Sequence, residues 1–407
     1  MNAQSQRLAK ALPRWIEEVP LYRQIKADIG ASDAMSQFHL LPQITKQEIR
    51  QNFPRNFLPS GVELENLLDE SLVELEHTSG TSEARTPLIL ALGWWAQQEE
   101  RALRLNRVAS EALDACPNPR RVTLTSPVCN GDVCYTGVPT KSDRVVGNTL
   151  HTSLSRHPFL WGETDLARMA EETAEWQPRF LDMDPVYGVA FARYCERKGI
   201  CFPTLRFVLC SYEFVSLTHR TIIERAFGVP VYDLYGSTET GHLLMEDETR
   251  QMRPSLDTAI LEIVEPDNNG VGQLIVTTLT NEYMPLIRYR IGDLAERNDQ
   301  GSQTTYQVHG RAADAFVTPA GRRVTILQLD QCFAGLVGFA HYQLLQPSKT
   351  QWLLRYVPDS VPPTDTSCEE LQRRLMSKLD VATGLSIEET DMLMPESSGK
   401  FRLGYPI

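Results

Sequence analysis

Helical patterns alternate with short apolar runs over most of residues 1–310, and this rhythm restricts the fold more than any other feature of the chain. Residues 164–176, 185–198 and 218–227 carry helical patterns, while 206–210 and 229–233 are apolar runs of strand length. Residues 93–115 predict a further helix and 121–126 a further strand. Strand–helix–strand alternation is the mark of an α/β fold, a largely parallel sheet covered by helices. From residue 256 the period shortens. Thr258–Val264 and Gly272–Thr278 flank a Pro-Asp-Asn-Asn-Gly turn and predict a hairpin, and 303–309 with 314–325 predict a second strand pair. A β-rich subdomain thus follows the α/β body. Residues 311–407 read as a small α+β domain, with helices at 326–334 and 368–380 and strands at 339–346, 351–357 and 387–394. The expected division is a large domain over 1–310 and a small one over 311–407. At the other end, residues 4–28 predict an amphipathic surface helix broken at Pro13 and Pro20.

With 407 residues, 42% of them apolar and 23% charged, the chain can bury a large core. The net charge of −12 gives no bulk attraction for nucleic acid. No apolar run reaches the length of a membrane span, and the N-terminus has no secretory pattern. The eight cysteines lack zinc-ribbon or redox spacing. The expectation is a cytoplasmic protein with reduced thiols and neither a membrane nor a nucleic-acid partner.

Five motifs carry the chemistry. The first is Glu76–Thr86, in which Thr78, Ser79, Thr81 and Ser82 surround Gly80. Such a loop offers hydroxyls and open backbone N–H groups to phosphate. The second is Tyr232–Thr240, where a strand runs into Gly236 and Ser237, and Glu239 offers oxygen to a hard cation such as Mg2+. Tyr235 offers a flat face to a ring. Taken alone, the same stretch is an ordinary strand-to-helix turn. In the third, Leu286–Leu294, Asp293 follows a glycine and suits the paired hydroxyls of a ribose. A charged edge strand ending in a Gly-Asp turn is the plainer reading. The fourth is Gly310–Asp314, with Arg311 able to reach ribose or phosphate and Asp314 at the domain boundary. The fifth is Pro395–Arg402, which puts Lys400 on a Ser-Gly loop near the chain end, either as a mobile cation or as an exposed terminal lysine.

In this order the five motifs resemble the adenylate-forming enzymes, which comprise acyl- and aryl-CoA synthetases, luciferase and peptide-synthetase adenylation domains. Val19–Tyr22, Leu41–Arg50, Asn52–Pro54 and Thr86 narrow the resemblance to the phenylacetate-CoA ligase branch. It spans about residues 19–402.

The resemblance implies that a carboxylate is joined to ATP, giving an acyl-adenylate and pyrophosphate, and that the acyl group then passes to a thiol. By similarity Thr78, Ser79, Gly80, Thr81 and Ser82 hold the β- and γ-phosphates, Thr238 the α-phosphate, and Glu239 the Mg2+. Tyr235, Gly236 and Ser237 belong to the nucleotide site, and Asp293 binds the ribose with help from Arg311. Ser211, Tyr212, Glu213 and Phe214 match the segment lining the adenine and acyl pockets, with Tyr135 and Tyr235 as further aromatic walls. Lys400 stabilises charge developing during adenylation, and the small domain rotates about Asp314.

The chain departs from the branch at four places. Glu83-Ala84-Arg85 stands where Gly-Lys-Pro is usual, Ala313 replaces an acidic residue, and Ser211–Phe214 replaces Gly-Ala-Glu-Pro. Residues 240–257 contain His242 but no cysteine, so no structural zinc is expected. The branch favours aryl carboxylates. Its acceptor is coenzyme A, with a carrier-protein phosphopantetheine arm or an amine, in secondary metabolism, as alternatives, and a weakly active or non-catalytic nucleotide-binding protein is the reading from a different class. Homodimers are common in the branch, and the residues are silent on this point.

Overall fold

A computed structural model describes residues 3–23, 38–78, 85–115, 119–125, 139–154, 161–301, 303–396 and 399–407. The chain is a mixed α/β protein that divides into two compact units. One comprises 1–106 and 234–307, the other 107–233 and 308–407. Among the described residues no helix is long and apolar enough to cross a membrane.

In the first unit, helix Ala3–Glu18 turns Leu8, Leu12, Trp15 and Ile16 into a core shared with Ile44, Phe57, Leu88–Leu90, Leu286 and Tyr289. The helix runs unbroken through Pro13, contrary to the predicted break. A proline there costs about 3 kcal/mol, and burial of four large apolar side chains outweighs it. Val73–His77 pairs antiparallel with Pro87–Ala91. Ala259–Val264 and Gly272–Thr278 form the predicted hairpin, and Tyr289–Gln300 extends it. Residues 303–311 neighbour the 289–300 strand in the sheet rather than 314–325. Instead, in the second unit, Phe316–Val317 pairs with Arg323–Val324 as a short separate ribbon, closed by a turn in which the Gly321 N–H donates to the Thr318 carbonyl. Residues 93–115 form two helices, Trp94–Leu103 and Arg107–Asp114, rather than one.

The second unit contains the parallel sheet. Strands Phe207–Cys210, Phe180–Met183, Arg121–Thr123 and Thr149–His151 lie in that order and pair parallel, with Val145–Val146 antiparallel at the edge. Helices Glu163–Trp176, Pro185–Lys198 and Leu217–Phe227 follow the rhythm read from the sequence. Their ends are written locally. Asp184 caps one helix before Pro185, Gly199 closes it in the left-handed region at φ 64°, and Ser216 caps the next. The C-terminal portion has a four-stranded sheet in the order Leu385–Glu389, Gln351–Pro358, Phe339–Ser348, Gly404–Tyr405. Helix Asp365–Leu379 packs Leu371, Leu375 and Leu379 into a core with Phe316, Trp352 and Leu354. The last internal strand ends at Glu389, short of the predicted 394.

Within this unit Asp330 ties the C-terminal portion to helix Leu217–Phe227. Its carboxylate accepts the Leu217 N–H at 3.0 Å and the Tyr342 hydroxyl at 2.9 Å. Burial raises its pKa from 3.8 to about 7, against these hydrogen bonds. A folded-state pKa above the unfolded one means that the native state holds the proton more tightly, so this group's contribution to stability is lost as pH rises from 3.8 to about 7. In urea unfolding, the stability of Asp330→Asn relative to wild type should therefore increase with pH across that window. A difference independent of pH would show that the shift is absent.

Candidate active site

In the first unit the hydroxyl-rich loop has a closed stem. The Thr78 N–H donates to the Thr86 carbonyl at 3.0 Å, and the Thr86 N–H donates back to Thr78 Oγ1 at 3.1 Å. Arg50 Nε donates to Thr86 Oγ1 at 3.0 Å. Ser79, Gly80, Thr81 and Ser82 lie outside the described residues, as do Glu83 and Ala84 of the departure from the branch.

The second motif is a hairpin rather than a strand-to-helix turn. Leu234–Ser237 pairs with Gly241–Met245, and the Thr240 N–H closes the turn onto the Ser237 carbonyl. Gly236 is required here, because a Cβ would run into the Gly241 carbonyl. The tight turn sets half-buried Thr238 beside buried Glu239. Glu239 Oε1 receives the Tyr289 hydroxyl at 3.0 Å and the Lys46 ammonium at 3.0 Å. Burial opposes ionisation, but Lys46 and hydrogen bonds, including one with Ser237, outweigh it and hold the carboxyl below its usual range. Glu239 is thus an anion with flanking hydroxyls. Among the described residues no group of three His, Cys, Asp or Glu side chains could form an all-protein metal cage. One ionised carboxylate instead fits Mg2+, which commonly binds through one or two carboxylates together with phosphate and water.

Asp293 follows Gly292, which has φ 95°, in the strand opposite a register shift between Gln273 and Ile275. The irregularity re-aims the strand. Asp293 Oδ2 accepts the Tyr235 hydroxyl at 2.6 Å, so motifs far apart in sequence meet here.

In the second unit the C-terminal loop is gripped on both sides of Lys400. The Phe401 N–H donates to both oxygens of Glu213, at 3.0 and 3.1 Å. The Tyr187 hydroxyl donates to the Gly399 carbonyl at 2.5 Å. Arg402 pairs with Asp314 at 2.6 Å and with Glu396 at 3.3 Å. Burial pushes the carboxyls of Asp184 and Glu213 upward, and the Lys400 charge opposes this at both. Ser211 and Tyr212 donate to Asp182 at 2.8 and 3.3 Å, while Phe214 packs against the C-terminal core. Arg311 is exposed at the end of its strand, and its charge also acts on Glu213 and Asp314. Tyr135 lies outside the described residues.

Sequence reasoning did not select Lys46, Tyr289, Asp182, Asp184, Tyr187 or Arg402 as site residues. Asp184-Pro185 reads locally as a helix start, and Thr45-Lys46-Gln47-Glu48 as a capping box. Neither pattern says which distant charge lies alongside.

No protein-family model matches the chain. It is 24% identical to an Escherichia coli (strain K12) protein named phenylacetate-coenzyme A ligase, over 98% of this chain and 92% of that one. A Pseudomonas putida protein of the same name is 25% identical over 72% of this chain and 65% of that one. Among solved structures, a 2-hydroxyisobutyryl-CoA ligase in a postadenylation state matches all of this chain and 88% of its own, with a TM-score of 0.73 and 16% identity. The fold is that of the adenylate-forming ligases. In sequence the chain is similar to the proteins named phenylacetate-coenzyme A ligase.

Proposed function

We propose that this chain is an AMP-forming ligase that activates an aryl carboxylic acid as its acyl-adenylate and passes the acyl group to the thiol of coenzyme A. The observation that carries the reading is that Tyr235 and Glu239 of the hairpin meet Asp293 and Tyr289 of strand Tyr289–Gln300. Asp293 accepts the Tyr235 hydroxyl, and the buried, ionised Glu239 accepts that of Tyr289. The names of the curated relatives support the acid–thiol class.

In this reading the loop from Thr78 to Ser82 binds the terminal phosphates and Thr238 the α-phosphate. Asp293, with Arg311, orients the ribose. Ser211–Phe214 border the adenine and acyl groups together with Tyr135. Glu239 holds Mg2+, which when bound supplies neutralising charge for the phosphates. The acid's carboxylate attacks the α-phosphorus, pyrophosphate leaves, and Lys400 stabilises the added negative charge. The CoA thiolate then attacks the acyl carbon and AMP leaves. Residues 311–407 act as the mobile domain, turning about Asp314 to exchange one half-reaction for the other.

Asp293→Asn is expected to weaken binding of a non-hydrolysable ATP analogue by about tenfold or more, since hydrogen bonds to a charged acceptor contribute about 1.5–3 kcal/mol each. Calorimetric titration checks this, and unchanged affinity would remove Asp293 from the ribose site.

The overall test is an aryl-acid panel with MgATP, following pyrophosphate release with and without CoA. Release together with a thioester supports the proposal. Adenylate accumulating regardless of CoA points to a carrier-protein or amine acceptor. No AMP or pyrophosphate with any acid removes the ligase reading.

A further inference from the structure

Glu239 is held by more than a metal ligand would require. Its side chain is 4% exposed and that of Lys46 is 35% exposed, so the ammonium reaches a buried carboxylate from the solvent side. Lys46 and the Tyr289 hydroxyl share the same oxygen, each at 3.0 Å. The placement of Lys46 is built in. Thr45 and Glu48 form a reciprocal capping box around the start of helix Lys46–Arg50. Just before it, the Ile44 N–H donates to the Arg288 carbonyl and the Ile44 carbonyl accepts from the Arg290 N–H, which anchors the segment beside Tyr289. Arg50, one turn on, holds Thr86 at the stem of the hydroxyl-rich loop. One short element therefore links the buried carboxylate to the phosphate-loop stem.

A buried carboxylate without a cation is costly and repels a nearby phosphate. We propose that Lys46 is the counter-ion of Glu239 whenever no divalent cation is bound, and that by neutralising this carboxylate it lets the site hold a metal-free nucleoside monophosphate and the acyl-adenylate. This inference rests on the adenylate-forming reading. It predicts that Lys46 contributes little to MgATP binding, where Glu239 has another cation, and much to AMP binding without metal. Retention of the adenylate between the two half-reactions is its use.

The test is calorimetric titration of the full chain with AMP in EDTA and with the non-hydrolysable analogue AMPCPP in excess Mg2+. Lys46→Gln should weaken AMP by about tenfold and leave Mg-AMPCPP within about twofold. Lys46→Arg should restore AMP binding. The double variant Lys46→Met/Glu239→Gln removes both charges. It should keep AMP affinity near that of wild type and lose Mg-AMPCPP affinity, and it serves if the single variant fails to fold. Equal losses for both ligands in Lys46→Gln, no loss of AMP, or loss of AMP binding by the folded double variant would overturn the proposal. A wild-type chain that binds neither nucleotide would instead overturn the adenylate-forming reading on which it rests.

Discussion

Replacing Lys400 by alanine is expected to slow acyl-adenylate formation by about 10²–10³-fold, the usual effect of removing one preorganised electrostatic group. Thioester formation from supplied acyl-adenylate should fall by less than about tenfold, because little new phosphate charge develops in that step. Within the second unit the loop is positioned by its backbone and neighbours: Glu213 accepts the Phe401 N–H, Tyr187 donates to the Gly399 carbonyl, and Arg402 pairs with Asp314. None of these contacts uses the lysine side chain. Lys400→Ala deletes a charge that also acts on Asp184 and Glu213, and it keeps the backbone groups of these contacts. Pyrophosphate exchange and single turnover from synthetic adenylate separate the two steps, and equal losses in both would refute the role.

The second large effect concerns stability. Arg144 is 2% exposed and makes a two-pronged pair with Glu172, at 2.9 and 2.6 Å, while also donating to the His151 carbonyl at 2.6 Å. Among the described residues, Arg168 at 2.9 Å is the ionic partner left to Glu172 once Arg144 is gone. Arg144→Leu should cost about 3–5 kcal/mol, because it leaves a largely buried carboxylate short of charge. Arg144→Leu/Glu172→Leu should cost clearly less, since the buried carboxylate is gone and the Arg168 it leaves behind is 26% exposed and reaches water. Urea unfolding of both variants measures the difference. A double variant as unstable as the single would mean that the loss lies in packing rather than in the unpaired charge.

How much could be read in advance differs by element. The helices Glu163–Trp176, Pro185–Lys198 and Leu217–Phe227 were legible because their apolar spacing agrees with their caps, Asp184 and Ser216 at the starts and Gly199 and Gly228 at the ends. The region 93–115 misled because its helical pattern is continuous while its environment is not. Asn106 donates its side-chain amide to the Glu246 carbonyl at 2.9 Å, a contact some 140 residues away that fixes the break between the two helices. Pro13 misled in the opposite direction, since the buried face of Leu12, Trp15 and Ile16 holds together a helix that local rules would interrupt. For 303–309 the strand was legible and its partner was not. β-patterns mark a segment as extended but leave its neighbour open.

The candidate site divides in the same way. By itself the sequence determined the chemical groups: a hydroxyl-rich loop, Glu239 after a glycine, Asp293 after another, and a lysine on a C-terminal Ser-Gly loop. These follow from residue type and short spacing, which survive without three-dimensional context. Only the tertiary structure decided which charge meets which: Lys46 on Glu239, Tyr235 on Asp293, Glu213 on the Phe401 N–H, Arg402 on Asp314. Such pairings are set by strand order and packing across hundreds of residues. A carboxylate's chemistry is written in its own side chain, whereas its counter-ion is chosen by the fold.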